Sequence, residues 1–511
     1  MLSTRTACGR AVAFVVPDMA MAAAMAAVVY LFLLFGGATA LFHDSDAGWH
    51  IRNGERILQS HVLPRVDAFS FSKAGEPWMA WEWGADVVTG AVHQAAGLGG
   101  VALLYGMAIG AAVWMWFGLN WAAGGNFLLA CLFAAPMLST ASLHWLARPH
   151  ILGWLFLIGT VWVAEKPLTH VRGSVKHLAG IAVGSAVWAN VHASFLLAPV
   201  VFGIYGAGVV LRRMIWTGGD ARNEGPYFVA AGVSLVATLA NPAGWRLHQH
   251  VIAYLTDTAL LDRIGEFQSF NFHSEGSMQI VLGLAIAFAG AFAALVVKRP
   301  ERFLLSILLS LGALRSARAL PLAALLALPL ANGSITEMLS LSRGLARPLR
   351  RWLDDALSYG ERLRGVDRQF HGAALIPLVV CGVLAWAGPR AAFPAAEFPV
   401  NAAAKIAELP ADARIFAPDK FGGYLIYRFN GQRKVFFDGR SDFYGADFLA
   451  RYGRMMAARP GWREEFGHWN FSHALVPPEA AIAGALEDAG WMELYRDRTA
   501  VLLEKPNGGG L

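Results

Sequence analysis

The chain has 511 residues, of which 56% are hydrophobic and 15% charged, and a formal net charge of +6. That balance excludes an ordinary soluble globular protein and puts most of the chain in lipid. It also excludes a nucleic-acid partner, because the Lys and Arg residues are scattered between apolar runs instead of forming one basic stripe. Of the three cysteines, Cys8 lies in the amino-terminal tail while Cys131 and Cys381 sit inside apolar runs, so neither a disulfide framework nor zinc spacing is expected.

In chain order, residues 1–18 read as a cytoplasmic tail with Arg5 and Arg10. The first apolar run, Met19 to Phe42, is long enough to cross about 30 Å of hydrocarbon and reads as a span. An outer loop, 43–98, follows. Within it, Met79 to Gly97 carries Glu82, Asp86, Thr89 and His93 on one helical face and Trp83, Val87, Val88, Ala91 and Val92 on the other, the pattern of a helix lying in the interface. Further apolar runs fall at 99–119, 127–145, 151–164, 178–190, 194–211, 226–240, 278–297, 303–314, 319–332 and 373–388, giving eleven spans.

Basic residues mark alternate gaps: Lys166, Arg172 and Lys176; Arg212, Arg213 and Arg222; Lys298, Arg299 and Arg302; then Arg343, Arg347, Arg350, Arg351, Arg362, Arg364 and Arg368. The positive-inside rule places these gaps in the cytoplasm. Several runs are short for a span and call for tilting or support from neighbours around a protein-enclosed cavity. The expected fold is therefore an α-helical polytopic membrane protein of about eleven transmembrane helices, residues 19–388, with a soluble, extracytoplasmic α/β domain over 389–511. In that domain strands are expected at Arg414–Ala417, Tyr424–Phe429, Lys434–Phe437, Ala474–Val476 and Ala500–Glu504, and helices near 446–458 and 479–489. The tail from Asn507 is expected to be disordered, and no internal repeat is present.

Threaded this way, the chain puts its polar clusters on the outer side: His43, Asp44, Asp46 and His50 after the first span, Arg148 and His150 at one outer turn, Asn190 and His192 at the next, Asn241 after the seventh span, and Arg315 and Arg318 at another turn. A charge at membrane depth costs roughly 2.5–3.5 kcal/mol on insertion scales and persists where it faces a cavity or a partner. Each cluster has a structural alternative: a solvated helix end for the aspartates, interfacial snorkelling for the arginines, hydrogen-bonded structural roles for the histidines and Asn190. Their convergence with Glu82 and Glu266 on one face favours a ligand cavity. Carboxylates beside arginines suit group transfer from a phosphate-linked lipid, an Asp taking the acceptor's proton while Arg and His neutralise the leaving phosphate. Asp44 and Asp46 are also candidates for holding Mg²⁺ or Mn²⁺, although two carboxylates do not complete such a shell.

The stretch Asp44-Ser45-Asp46-Ala47-Gly48-Trp49-His50, followed by Leu63-Pro64, Asp67, Phe69-Ser70 and Trp81-Glu82-Trp83, resembles the first outer loop of the GT-C superfamily of membrane glycosyltransferases. It is similar in particular to the bacterial branch described as dolichyl-phosphate-mannose-protein mannosyltransferase-like. Trp188-Ala189-Asn190-Val191-His192 and Arg315-Ser316-Ala317-Arg318 extend the resemblance, which covers most of 19–388 in outline. It implies a polyprenyl-phosphate sugar donor, an envelope glycan, lipid or protein acceptor, a bacterial inner-membrane location, and Asp44 or Asp46 as catalytic carboxylate. His50, Glu82, Arg148, His150, Asn190, His192, Glu266, Arg315 and Arg318 are the candidate substrate-binding residues. No Trp-Trp-Asp-Tyr-Gly stretch of the oligosaccharyltransferase kind is present, and the carboxyl-terminal domain, with Phe421-Gly422-Gly423-Tyr424 and Phe437-Asp438-Gly439-Arg440-Ser441-Asp442, departs from the superfamily's well-described periplasmic domains. Asp438 and Arg440 read as a turn held by a charge pair. A secondary transporter would instead carry midplane charges and paired repeats, and a non-catalytic assembly protein would tolerate loss of both aspartates.

Overall fold

The computed structural model describes residues 7–166, 175–216, 224–342 and 344–506. Arg5, Arg172, Arg222, Arg343 and the tail from Asn507 lie outside the described residues, as do the side chains of Cys8 and Arg10.

The amino-terminal segment forms α1 (Ala7–Val15) and α2 (Met19–Leu33), joined at Pro17 and restarted by Asp18, whose carboxylate accepts the Met21 N–H at 2.8 Å. The helix of the first apolar run begins at Met19, as expected, with α1 ahead of it, and ends earlier than Phe42, because Gly36 and Gly37 take positive φ and turn the chain into a short 3₁₀ segment. An unexpected helix, α3 (Asp46–Ser60), follows.

Next comes α4 (Trp83–Ala122), in which the expected interfacial helix and second span run together across a break at Ala96 and Gly97. The polar face of its first half does not look toward water, as expected for an interfacial helix; it packs on α3. Asp86 accepts from His50 and Asn53 at 2.6 Å each, and His93 meets Glu55 at 2.6 Å. The two helices touch backbone to backbone, since a Cβ on Gly54 would lie 1.8 Å from the Asp86 carbonyl oxygen.

The membrane module continues through α5 (Phe127–Ala141), α6 (His150–Glu165), α7 (Val175–Ala189), α8 (Leu197–Ile215) and α9 (Gly225–Ala237). Two short helices, α10 (Trp245–Thr256) and α11 (Thr258–Leu261), precede α12 (Ser277–Val296), α13 (Pro300–Arg315) and α14 (Leu320–Leu341). Pro226, Pro300 and Pro321 occupy first turns, where the missing N–H has no intrahelical partner to lose. The central rod is α14, buried along Leu320–Ser334 and packed against α12, α13, α5 and α4. Among the described residues, six helices are long and apolar enough to cross a bilayer by length and composition, and α6, α7, α9 and α16 (Leu375–Ala387) are shorter apolar helices. The Arg-rich segment before α16 forms an amphipathic helix, α15 (Arg347–Asp367), which sequence periodicity did not single out.

Helix ends sort onto two faces. On one, Met19 N–H reaches Asp367 at 2.7 Å, Arg302 meets the Ala123 carbonyl at 2.9 Å, and Arg212 pairs with Glu301 at 2.7 Å. Arg302 also pairs with Glu165 there, so buried charges are not confined to the outer side as the sequence reading held. The other face carries the turns with Arg148, His192 and Arg318 and the carboxyl-terminal domain.

That domain contains α17 (Ala403–Ala407), β1 (Ile415–Phe416), α18 (Asp419–Arg428), α19 (Ser441–Met456), α20 (Trp462–His468), β2 (His473–Val476), α21 (Ala481–Asp488), β3 (Met492–Arg496) and β4 (Val501–Glu504). Its sheet runs β1-β2-β4-β3, with β1 parallel to β2 and the other pairs antiparallel. Tyr424–Phe429 was expected as a strand and is helical, because Gly422 and Gly423 let α18 press directly on its neighbours. Lys434–Phe437 forms no strand of this sheet; Val435 bridges Ser70 of the outer loop. The strand β3 was not expected.

Candidate active site

Seven connections converge on one cavity of about 860 Å³. The turn after α2 and the start of α3 supply Asp44, Asp46 and His50; the residue before α4 is Glu82; the α5–α6 turn supplies Arg148 and His150. His192 comes from the α7–α8 turn, Glu266 from the loop after α11, and Arg315 and Arg318 from the α13–α14 turn. The carboxyl-terminal domain closes the last side with Asp419, Lys420 and the turn Gly439–Asp442.

Arg148 is the hub. Its Nη1 meets Asp44 Oδ2 at 2.6 Å and Glu266 Oε1 at 2.9 Å, and its Nη2 meets Asp46 Oδ2 at 2.8 Å. Burial works against the Arg148 cation, but the carboxylates of Asp44, Glu266 and Asp46 hold its pKa well above the ordinary value. Asp44 Oδ1 also accepts the Asp46 N–H at 2.8 Å, and Asp46 Oδ1 accepts from Trp49 Nε1 at 3.1 Å. Burial is the main cause that pushes the Asp46 carboxyl up to about 6, against the attraction of Arg148. For Glu266, burial pushes upward, but Arg148 and Arg318 together hold it well below the usual carboxylate range.

A second group lines the inner wall. His50 Nδ1 lies 2.6 Å from Asp86 Oδ1, and this carboxylate outweighs burial to raise the imidazole's pKa. Glu82 stands between His50 Nε2 at 3.7 Å and His192 Nε2 at 3.5 Å, and burial pushes its carboxyl up to about 7. His192 Nδ1 accepts the Ser194 N–H at 3.1 Å, while burial, then Arg318 and Arg148, keep its pKa well below normal. His150 Nε2 donates to the His144 carbonyl at 2.9 Å.

Arg318 lies 3.7 Å from Glu266 and over the Phe267 ring, whereas Arg315 is exposed on the cavity wall with no ion pair among the described residues. Asn190 does not line the cavity. It accepts from Trp83 Nε1 at 2.8 Å and donates to the carbonyls of Ala186 and Ala240, stitching α7 to its neighbours.

The residues do not fit a divalent cation. The Arg148 guanidinium already occupies the space between Asp44, Asp46 and Glu266, and no cluster of three His, Cys, Asp or Glu side chains with metal-holding geometry exists among the described residues.

What the sequence missed is the far wall. The Asp438-Arg440 pair was expected, and it is fully buried, at 2.7 Å, but Arg440 also meets Asp67 of the outer loop at 2.8 Å and stacks over Trp78. Phe421-Gly422-Gly423-Tyr424 sits on α18 against α3, where a Cβ on Gly423 would be 2.7 Å from Ser45. These residues were visible as motifs; their partners, hundreds of positions away, were not.

Fold and site together define a polytopic helical membrane protein with a charged cavity at one end, roofed by a carboxyl-terminal α/β domain. No family model matches the chain, and neither does any curated protein. Among solved structures it is similar to ArnT from Cupriavidus metallidurans bound to undecaprenyl phosphate, with 15% identity over 98% of this chain and 99% of that one and a TM-score of 0.49. The apo state of the same ArnT gives 15% identity, 94% and 97% coverage and a TM-score of 0.47. The Archaeoglobus fulgidus oligosaccharyltransferase, tethered with an acceptor peptide containing the NVT sequon, gives 11% identity, 89% and 68% coverage and a TM-score of 0.49.

Proposed function

We propose that the protein is a GT-C-type membrane glycosyltransferase that transfers a sugar from a polyprenyl-phosphate carrier to an envelope glycan, lipid or protein acceptor on the outer face of the inner membrane. The observation that carries this reading is a pair of carboxylates, Asp44 and Asp46, fixed by one arginine in a cavity that also presents Arg315, which has no ion pair among the described residues. An acceptor oxygen attacks the sugar's anomeric carbon, the bond from that carbon to the phosphate oxygen breaks, and the electron pair leaves with the polyprenyl phosphate. The acceptor's proton passes to the Asp44–Asp46 pair. Burial raises the basicity of Asp46, which suits it to accept a proton. Arg315 and Arg318 then face the charge that develops on the leaving phosphate, where a planar guanidinium can donate two bonds at once. The apolar wall of Leu157, Leu196, Leu197 and Leu322 suits the start of a prenyl chain.

Purified full-length protein incubated with polyprenyl-phosphate sugars should release polyprenyl phosphate in the presence of an acceptor extract. The Asp44→Asn, Asp46→Asn double variant, which keeps side-chain size but removes both bases, should lose about 10²- to 10⁴-fold in rate while remaining in the membrane. Wild-type transfer by that variant would sink the assignment.

A further inference from the structure

The carboxyl-terminal domain reaches the candidate catalytic carboxylate itself. A Cβ on Gly439 would lie 1.8 Å from Asp46 Oδ1, closer than any real contact, so the glycine Cα is packed against the carboxylate. The backbone of Gly439 is not left-handed, and space alone asks for glycine there. The turn that carries it is rigid. Asp438 and Arg440 are 0% and 2% exposed, Arg440 bonds both Asp438 and Asp67, and the Tyr444 hydroxyl donates to Asp438 at 3.0 Å. Asp46 is therefore held from three directions: by Trp49 on its own helix, by Arg148 from the α5–α6 turn, and by a backbone edge of a domain nearly four hundred residues downstream. Two of those contacts are polar and come from side chains. The third is steric and has no freedom to follow a displaced carboxylate.

We propose that the carboxyl-terminal domain is part of the catalytic apparatus, with Gly439 as the positioning residue that fixes the Asp46 carboxylate toward the cavity. The domain then completes the site and is not an appended binding module. The kinetic half of the test rests on the glycosyltransferase reading above; the stability half does not.

The test is a double-mutant cycle in full-length protein: wild type, Gly439→Ala, Asp46→Ala and the double variant, with Gly484→Ala as a control because nothing lies near a Cβ there. Gly439→Ala should lower the thermal midpoint of the wild type and lower that of Asp46→Ala far less, because the group that the methyl strikes is then gone. In transfer assays Gly439→Ala should lower kcat by about 10²-fold, the effect of a misplacement of about 1 Å, with donor KM and polyprenyl-phosphate binding unchanged. If Gly439→Ala alone fails to fold, recovery of the fold in the Asp46→Ala background gives the same coupling. Additive losses of thermal midpoint, or a folded Gly439→Ala protein with wild-type kcat, would overturn the proposal. A wild type that transfers no sugar would remove the glycosyltransferase reading while leaving the stability cycle to decide the contact.

Discussion

At the scale of the residue, Asp46 combines two properties that rarely coincide: burial that opposes its charge, and an arginine that keeps the charge available. Its carboxyl titrates at about 6 instead of the ordinary 3.8. As a proton acceptor it works only when ionised, so transfer should rise with pH through about 6, and Glu82→Gln, which removes the neighbouring carboxyl titrating at about 7, should leave that limb in place. Stability moves the other way. Between pH 4 and 6 the native protein binds the Asp46 proton and the unfolded chain does not, so stability falls as pH rises through that window. Asp46→Asn should therefore be more stable than wild type above about pH 6, by up to about 3 kcal/mol, and should lose the advantage below about pH 4. Denaturation midpoints at pH 4 and 7.5 measure this directly; an Asn variant that is less stable at both would show that Asp46 is structural.

At the scale of the element, the α13–α14 hairpin delivers two arginines with different circumstances. Arg318 is drawn to Glu266, while Arg315 has an open fork on the cavity wall. A charged hydrogen-bonding contact contributes about 1.5–3 kcal/mol, so Arg315→Ala should weaken polyprenyl-phosphate binding by about 10- to 100-fold. Arg318→Lys keeps a charge opposite Glu266 but loses the planar fork and should weaken binding less. Binding to the purified Arg315→Ala variant at the wild-type level would remove this hairpin from the donor site. The same hairpin shows what a sequence can convey. Its arginines and the break between its helices were legible, because a charge that interrupts an apolar run stands out against lipid, whereas α14 runs nine residues past the expected end at Asn332. By contrast, α3 was not legible, since its buried residues mix Ala47, Trp49 and Ile51 with Gly48, His50, Asn53 and Gly54, and it packs in part on the polar face of α4. Nor was α18, whose paired glycines depress helix propensity and acquire their purpose only from contact with Ser45 and Phe437.

At the scale of the whole molecule, the cavity, the outer turns and the carboxyl-terminal domain lie at one end, and α15 lies at the other, tied to the amino terminus through Met19 and Asp367. If the two ends face opposite sides of a membrane, as proposed, an odd number of crossings separates them. Among the described residues six helices meet the length and composition of a span, four shorter apolar helices, α6, α7, α9 and α16, add to them, and the proposed threading of eleven also needs α13. A helix of 13 residues such as α9 or α16 covers only about 20 Å, short of the roughly 30 Å of hydrocarbon. In the proposed threading such helices would cross with support from their neighbours and local thinning of the bilayer. The charges agree with this threading. Arg302 and Arg212, in gaps that the positive-inside rule assigns to the cytoplasm, are neutralised by Glu165 and Glu301 at the α15 end, away from the cavity. Truncation fusions carrying a reporter that is active only outside the cytoplasm should therefore be silent at Gly365, on the exposed side of α15, and active at the end of the chain. Activity at both points would make α15 an outer helix and leave the cavity without a common side. Silence at both would mean that α16 does not cross, and that the roof of the cavity, Gly439 included, faces the cytoplasm with it.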